Sequence, residues 1–411
     1  MLCQFTFRNF RSYKAETTFD LQAVAIPEFS DSLLKSEKGG ALLPVSVIYG
    51  PNGGGKSNLL RALFCLISAV VSPIRELEKN RQRFIVQRKV NCEPFLFDEG
   101  SRNQPTEFEV FFRQGSNEYC YQLALLKDAV VSEALYWRAL GGKKTGTVFE
   151  RKNATIELGA KLKRMGVNRS VNPKMPYLSF LAINYDLPII AEVQKWFESC
   201  ITRNYANAQV DQVIMVTSNV EEQQQIIHAL NDMDIDMVGY RFDKTENVLY
   251  TKRMIDGNAY ELHFEDESDG TKKLIATLPL ILLALREGRL MVIDELDAKL
   301  HPKLLRYIIS MFKNEKLNAN GAQLIFTSHD MTTMRNTVFR RDEIWFSAAN
   351  KNHESEIYSL YEIRNENNEH INNTAAYAKQ YLEGRYGADP YLSNMLTGGD
   401  WRELETSEKR G

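Results

Sequence analysis

The sequence predicts an α/β protein: a mixed central sheet around a phosphate-binding loop, an antiparallel β-region beside it, and a helical lobe between the two parts of the core. Three observations carry that expectation. Residues 50–58 read Gly50-Pro51-Asn52-Gly53-Gly54-Gly55-Lys56-Ser57-Asn58, which is Gly, four residues, Gly-Lys-Ser, the spacing of a Walker A loop. Far downstream the apolar run Leu290-Met291-Val292-Ile293 ends in Asp294-Glu295, the form of a Walker B strand. Between them, residues 107–126 alternate with period two, while 178–204 carry apolar residues at helical spacing.

Taken in order, Leu2, Gln4, Phe5 and Phe7 alternate as a strand, and Asn9-Phe10-Arg11-Ser12-Tyr13 turns the chain. Residues 31–44 are polar and glycine-bearing, a loop. Val45-Ser46-Val47-Ile48-Tyr49 then reads as a buried strand and Leu59 to Phe64 as a helix. This strand–loop–helix context makes the glycine pattern a site. Glycines let main-chain N–H groups close on phosphate oxygens, and a helix start adds partial positive charge. Residues Gly50 to Gly55 and Asn58 would line the cradle, Lys56 would reach the β- and γ-phosphates, and the Ser57 hydroxyl would ligate Mg²⁺. Pro73 is expected to end the helical run, and 76–89 is densely charged.

The period-two stretch is a hairpin, with Phe108, Val110 and Phe112 facing Tyr119, Tyr121 and Leu123 across Gln114-Gly115-Ser116-Asn117. A second pair is expected over Val131–Trp137 and Gly146–Glu150. Residues 143–174 hold nine basic side chains against two acidic ones, a surplus that fits an acidic partner or nucleic acid and equally a solvated face. Leu178 to Asn204 reads as helix, and Ser218-Asn219-Val220-Glu221 as a capping box. Val248–Met254 and Ala259–Phe264 should pair across Asp256-Gly257-Asn258, and Gly270–Leu285 is a helix leading into the Asp294-Glu295 strand. There Asp294 would hold Mg²⁺ through water and Glu295 would polarise the attacking water. The expected division is 1–175 with the phosphate loop and β-region, 176–285 as the helical lobe, and 286–411 as the rest of the core.

The net charge is −2 and charged residues make up 25%, which excludes a global bias toward nucleic acid or membrane. Five scattered cysteines without a Cys-x-x-Cys pair suit a reduced, cytoplasmic setting and argue against a zinc site. The run Leu278–Leu285 is too short to span a bilayer, and residues 1–7 look like a strand rather than a signal peptide.

The segment Glu267-Ser268-Asp269-Gly270-Thr271-Lys272-Lys273 opens the helix before Walker B. Ser-x-Gly at that place resembles the signature motif of ABC-type ATPases. The resemblance implies that Ser268 and Gly270, at a helix start, bind the γ-phosphate of nucleotide held by a second copy. Leu296-Asp297 is similar to the D-loop of that class and Leu300-His301-Pro302 to the turn after it. Ala322 to Thr327 is a strand ending in Ser328-His329-Asp330, where His329 resembles the switch histidine that senses the γ-phosphate. Asn9-Phe10-Arg11-Ser12 resembles the N-terminal motif of SMC-like and OLD-like (overcoming lysogenisation defect) ATPases, which implies that Arg11 lies near the phosphates. With Phe95-Leu96-Phe97-Asp98-Glu99, Pro105-Thr106-Glu107-Phe108 and Tyr381-Leu382-Glu383-Gly384-Arg385-Tyr386-Gly387, almost the whole chain looks like the stand-alone OLD-like AAA ATPases of bacterial anti-phage, abortive-infection systems.

That resemblance implies an ABC/SMC-type P-loop NTPase head that hydrolyses ATP with Mg²⁺ at a head-to-head homodimer interface. It also implies partners: an effector protein encoded nearby, a Toprim-type nuclease being one form, and a phage-derived trigger. No membrane is implied. The alternative is an SMC-like DNA-maintenance ATPase that clamps duplex DNA. The chain departs from the pattern in its Q-loop glutamine, for which Gln87 and Gln104 are the candidates. No long coiled-coil insertion is present, and the 82 residues beyond His329 are fewer than the roughly 100 a nuclease domain takes.

Overall fold

The computed structural model describes residues 1–77, 91–204, 220–243, 245–246 and 248–388. Most of the charged 76–89 run, Gln87, the capping residues Ser218 and Asn219, and the tail past 388 lie outside the described residues.

Seven strands form an antiparallel sheet: β1 (Leu2–Arg8), β2 (Thr17–Asp20), β4 (Thr106–Gln114), β5 (Asn117–Leu126), β6 (Ala129–Ala139), β7 (Gly146–Lys152) and β8 (Thr155–Leu158), in the order β2-β1-β4-β5-β6-β7-β8. The β4–β5 hairpin closes on Gln114 opposite Asn117, as the alternation predicts. A small sheet of β10 (Gly239–Asp243), β11 (Val248–Ile255) and β12 (Asn258–His263) contains the expected hairpin. Its turn, Asp256-Gly257, has positive φ at both residues, which the right-handed twist of a two-residue hairpin favours.

The central sheet is mixed, in the order β16-β15-β3-β14-β13-β9. It comprises β3 (Val45–Tyr49), β9 (Ile201–Asn204), β13 (Leu290–Asp294), β14 (Gln323–Thr327), β15 (Ile344–Ala349) and β16 (Ser355–Ser359). Only β16 runs antiparallel to its neighbour. Strands β3, β13 and β14 are buried along their whole length and mostly apolar, with Leu290–Ile293 and Leu324–Phe326 as continuous apolar runs, because both faces are covered. Ile48, Val292, Ile325 and Trp345 join the core shared with the antiparallel sheet. Val47, Met291, Ile293, Leu324 and Phe346 join a second core on the opposite face. Each such fully buried aliphatic side chain contributes about 1.5–3 kcal/mol.

The described helices are α1 (Lys56–Leu77), the single turns α2 (Glu99–Arg102) and α3 (Ala160–Lys163), α4 (Tyr177–Asn184), α5 (Pro188–Ser199), α6 (Val220–Asp232), α7 (Asp269–Glu287), α8 (Pro302–Lys313) and α9 (Tyr377–Leu382). By length and composition α1 is the one described helix apolar enough to cross a membrane; here it packs on α4, α5 and β13. It runs through Pro73, which was expected to end it. Proline removes one main-chain donor, while the residues upstream of it are anchored by burial from Leu59 to Val71.

The helical reading of 178–204 breaks at Pro188. Leu187 before it is extended, as the residue preceding a proline is biased to be. The last four residues become β9, which pairs with β13. The 176–285 stretch therefore divides: α4 and α5 enter the core with the antiparallel sheet, whereas β9, α6 and α7 enter the other. The Tyr381–Gly387 segment is a packing element on the central sheet. Tyr381 stacks on Phe346 with centroids 5.4 Å apart, and Tyr386 lies 5.3 Å from the same ring.

Candidate active site

In open α/β sheets, ligands bind beyond the carboxyl ends of the parallel strands. Four such ends meet here: β3 at Gly50, β13 at Asp294, β14 at Thr327 and β9 at Asn204. The loop after β3 needs glycine. At Gly50 φ is +148°, and a Cβ would lie 2.1 Å from the Ser347 carbonyl oxygen; at Gly55 φ is +109°, and a Cβ would lie 2.5 Å from Ser355 Oγ. The loop rests on β15, where Ser347 Oγ donates to the Gly54 carbonyl at 2.8 Å. Tyr13 braces it from the N-terminal turn, 2.9 Å from Ser347 Oγ and 3.3 Å from the Gly55 carbonyl. Pro51, Asn52 and Gly53 form the outer rim, Asn52 and Gly53 exposed. At the helix start, Asn58 Nδ2 donates to Ser12 Oγ at 2.9 Å.

Lys56 is 6% exposed. Its Nζ turns back to donate to the carbonyls of Gly50 (2.7 Å) and Pro51 (3.0 Å). Burial holds its pKa below the usual lysine value, opposed by the carboxylates of Asp294, Asp297 and Glu295. A cation held over a glycine-lined loop is what a polyphosphate requires.

Asp294 is the hub. Its Oδ1 accepts from Ser57 Oγ at 3.0 Å and Thr327 Oγ1 at 2.8 Å, and its Oδ2 accepts from Asn204 Nδ2 at 2.9 Å. Thr327 Oγ1 also accepts the Glu295 N–H at 2.7 Å. Glu295 has φ +59°, unusual for a residue with a β-carbon. Asp297 Oδ2 takes the His329 N–H at 2.8 Å, its Oδ1 is buried without a hydrogen-bond partner, and the His329 residue is exposed. The structure thus brings Lys56, Ser57, Asp294, Glu295, Asp297 and His329 to one edge.

Three predicted residues stand apart from that network. Arg11, at φ +50°, pairs with Glu93 at 3.1 Å, while its neighbours Ser12 and Tyr13 touch the phosphate loop. Ser268 caps α7, accepting from the Thr271 N–H at 3.2 Å, and is exposed. Gly270 is part-exposed beside it, against Lys299. Sequence reading missed Asn204 and Lys273. Gln104, one candidate for the amide beside Mg²⁺, sits exposed in the turn before β4; the amide set against Asp294 is Asn204. Its signal was the β-branched pair Ile201-Thr202 ahead of the polar Arg203-Asn204, hidden at the end of a helical run. Lys273 is 1% exposed and donates to the carbonyls of Glu295 (2.6 Å) and Ala298 (2.8 Å). Burial lowers its pKa to about 8 against the pull of Asp297 and Glu295.

A phosphate loop on a mixed sheet, with an acid-ended strand two positions away, defines a P-loop nucleoside triphosphatase. The family described as "AAA domain, putative AbiEii toxin, Type IV TA system" matches residues 45–165 and 206–335, more than half of the chain. The chain belongs to that family and is an ATP-hydrolysing enzyme. Among solved structures it is similar to the SMC head domain from Thermotoga maritima, at 15% identity over 87% of this chain and 98% of that one, with a TM-score of 0.42. It is also similar to an SMC head bound to the C-winged helix domain of ScpA, at 12% identity over 87% and 97%, with a TM-score of 0.40. Among curated proteins none matches it.

Proposed function

We propose that two copies of this chain sandwich two ATP molecules and hydrolyse them. In each site Lys56 and the 50–58 loop hold the phosphates, with Arg11 beside them, Glu295 orients the attacking water and His329 reads the γ-phosphate. Asp297 positions the His329 main chain, and Ser268 and Gly270 arrive from the other copy. Ser57 and Asp294 offer one hydroxyl and one carboxylate, the sparse donor set that Mg²⁺ takes beside phosphate oxygens. Bound there, the cation would neutralise charge developing between the phosphates. The observation that carries this reading is a contrast in hydrogen bonding. Ser57, Asp294, Thr327 and Glu295 are joined through one network, while the Ser268 hydroxyl is bonded to its own helix at Thr271.

The wider role we propose is the sensor or scaffold subunit of an anti-phage, OLD-like abortive-infection system, controlling a separate effector. The family's toxin–antitoxin description supports it. The alternative, a DNA-clamping maintenance ATPase, draws on one observation: Lys143, Lys144, Lys152, Lys161, Lys163, Arg164, Arg169 and Lys174 are all exposed, and only Arg151 of that basic run is buried. DNA binding with a steep salt slope would favour it.

The deciding experiment uses Glu295→Gln, which should retain ATP while slowing turnover by on the order of 10²-fold or more. Mass measurement of that variant with ATP and Mg²⁺ should give a dimer, and without ATP a monomer. A monomer under both conditions contradicts the two-headed site. Copurification of a neighbour-encoded protein would support the scaffold role.

A further inference from the structure

The helix tip that carries Ser268 and the loop that carries Glu295 are fastened together within one chain. Lys273 lies one turn into α7 and reaches two carbonyls of the loop, those of Glu295 and Ala298. Asp269 pairs with Lys299 at 2.9 Å, and a Cβ on Gly270 would stand 3.0 Å from the Lys299 carbonyl oxygen. Residues 269–273 and 295–299 therefore touch at three successive points. Both ends of this loop are left-handed, at φ +59° for Glu295 and +63° for Lys299, a conformation such residues keep only where their surroundings hold it. For Glu295 the holders are visible: the Thr327 hydroxyl takes its N–H, and the Lys273 ammonium takes its carbonyl. A buried ammonium that donates to two main-chain carbonyls of one turn sets the shape of that turn, because each carbonyl must point at one atom.

We infer that Lys273 is a positioning residue that links the two nucleotide sites of the dimer. The tip of α7 meets the partner's nucleotide, and Lys273 transmits the tip's position to the Glu295 turn of its own chain. Hydrolysis at one site then depends on nucleotide at the other. This rests on the two-headed reading proposed above. Lys273 acts here through the carbonyls of Glu295 and Ala298, so its loss should leave binding and reduce the chemical step.

The experiment measures ATP affinity, kcat and the Hill coefficient for hydrolysis in the full chain. Lys273→Met should keep ATP affinity within about threefold, lower kcat by about 10- to 100-fold and bring the Hill coefficient to about 1. Lys273→Arg should recover a large part of both kcat and cooperativity, which a packing defect would not predict. Wild-type kcat and Hill coefficient in a folded Lys273→Met overturn the inference. If that variant does not fold, Lys299→Met decides the matter. It breaks the exposed pair at the same junction and should lower kcat by about 2- to 5-fold together with the Hill coefficient; unchanged values overturn the inference. A wild-type chain that hydrolyses ATP as a monomer without cooperativity overturns the two-headed reading, and the linkage with it.

Discussion

The phosphate loop and the tip of α7 present similar chemistry, main-chain N–H groups at a helix start beside a serine, in opposite settings. The base of the loop, Gly50 and Gly54 to Lys56, is buried, and the loop is cross-braced by Ser347, Tyr13 and the Asp294 network. The tip is exposed, and its serine is bonded to its own helix. A cradle held from three sides is preorganised, so little reorganisation accompanies binding. An N–H cluster facing solvent has affinity for anions but no second wall. The difference teaches that similar main-chain chemistry is held rigidly from several sides at one helix start and left open to solvent at the other.

The sharpest way to break that comparison is Lys56→Ala. Loss of the charge-assisted donor should weaken ATP binding by on the order of 10²-fold, measured by calorimetry on the isolated chain; unchanged affinity would remove the loop from phosphate binding. Ser268→Ala should act differently, lowering hydrolysis by about tenfold or more while ATP affinity of the monomer stays as in wild type. Its unfolding free energy should fall only as far as a lost helix cap requires, about 1 kcal/mol. Equal loss of monomer affinity in both variants would erase the contrast between the two halves. Thr327→Val gives the smallest effect on nucleotide binding and turnover. It removes a hydroxyl that serves Asp294 and the Glu295 N–H at once, so stability should drop by about 1–3 kcal/mol in chemical denaturation, with kcat falling more than affinity.

Positions whose local structure depends on their immediate neighbours were legible in the sequence. Gly50 to Ser57 announce themselves because the turn needs glycine at set positions and a cation and hydroxyl directly after it. Asp294 and Glu295 do so because an apolar run that stops at acids marks a strand end. The alternation of 107–126 was legible for the same local reason, and the turn at Gln114–Asn117 closed where expected. Asn204 was not legible, since a four-residue strand behind a helix carries too little pattern to separate from it. Nor was Tyr13: its hydroxyl meets Gly55 and Ser347, groups 42 and 334 residues away along the chain.

From residue types and spacing alone came the phosphate-loop motif, the acid-ended strand, the Ser-x-Gly at a helix start and the alternation of the antiparallel sheet. These depend on dihedral freedom, capping and period, all of which act over a few residues. The tertiary structure decided the strand order β16-β15-β3-β14-β13-β9, and with it the meeting of Asn204, Ser57 and Thr327 on Asp294. It also decided that Lys273 lies over the Glu295 turn. Strand order is set by how whole apolar faces cover one another, a sum over two cores, and no short stretch of sequence contains that sum.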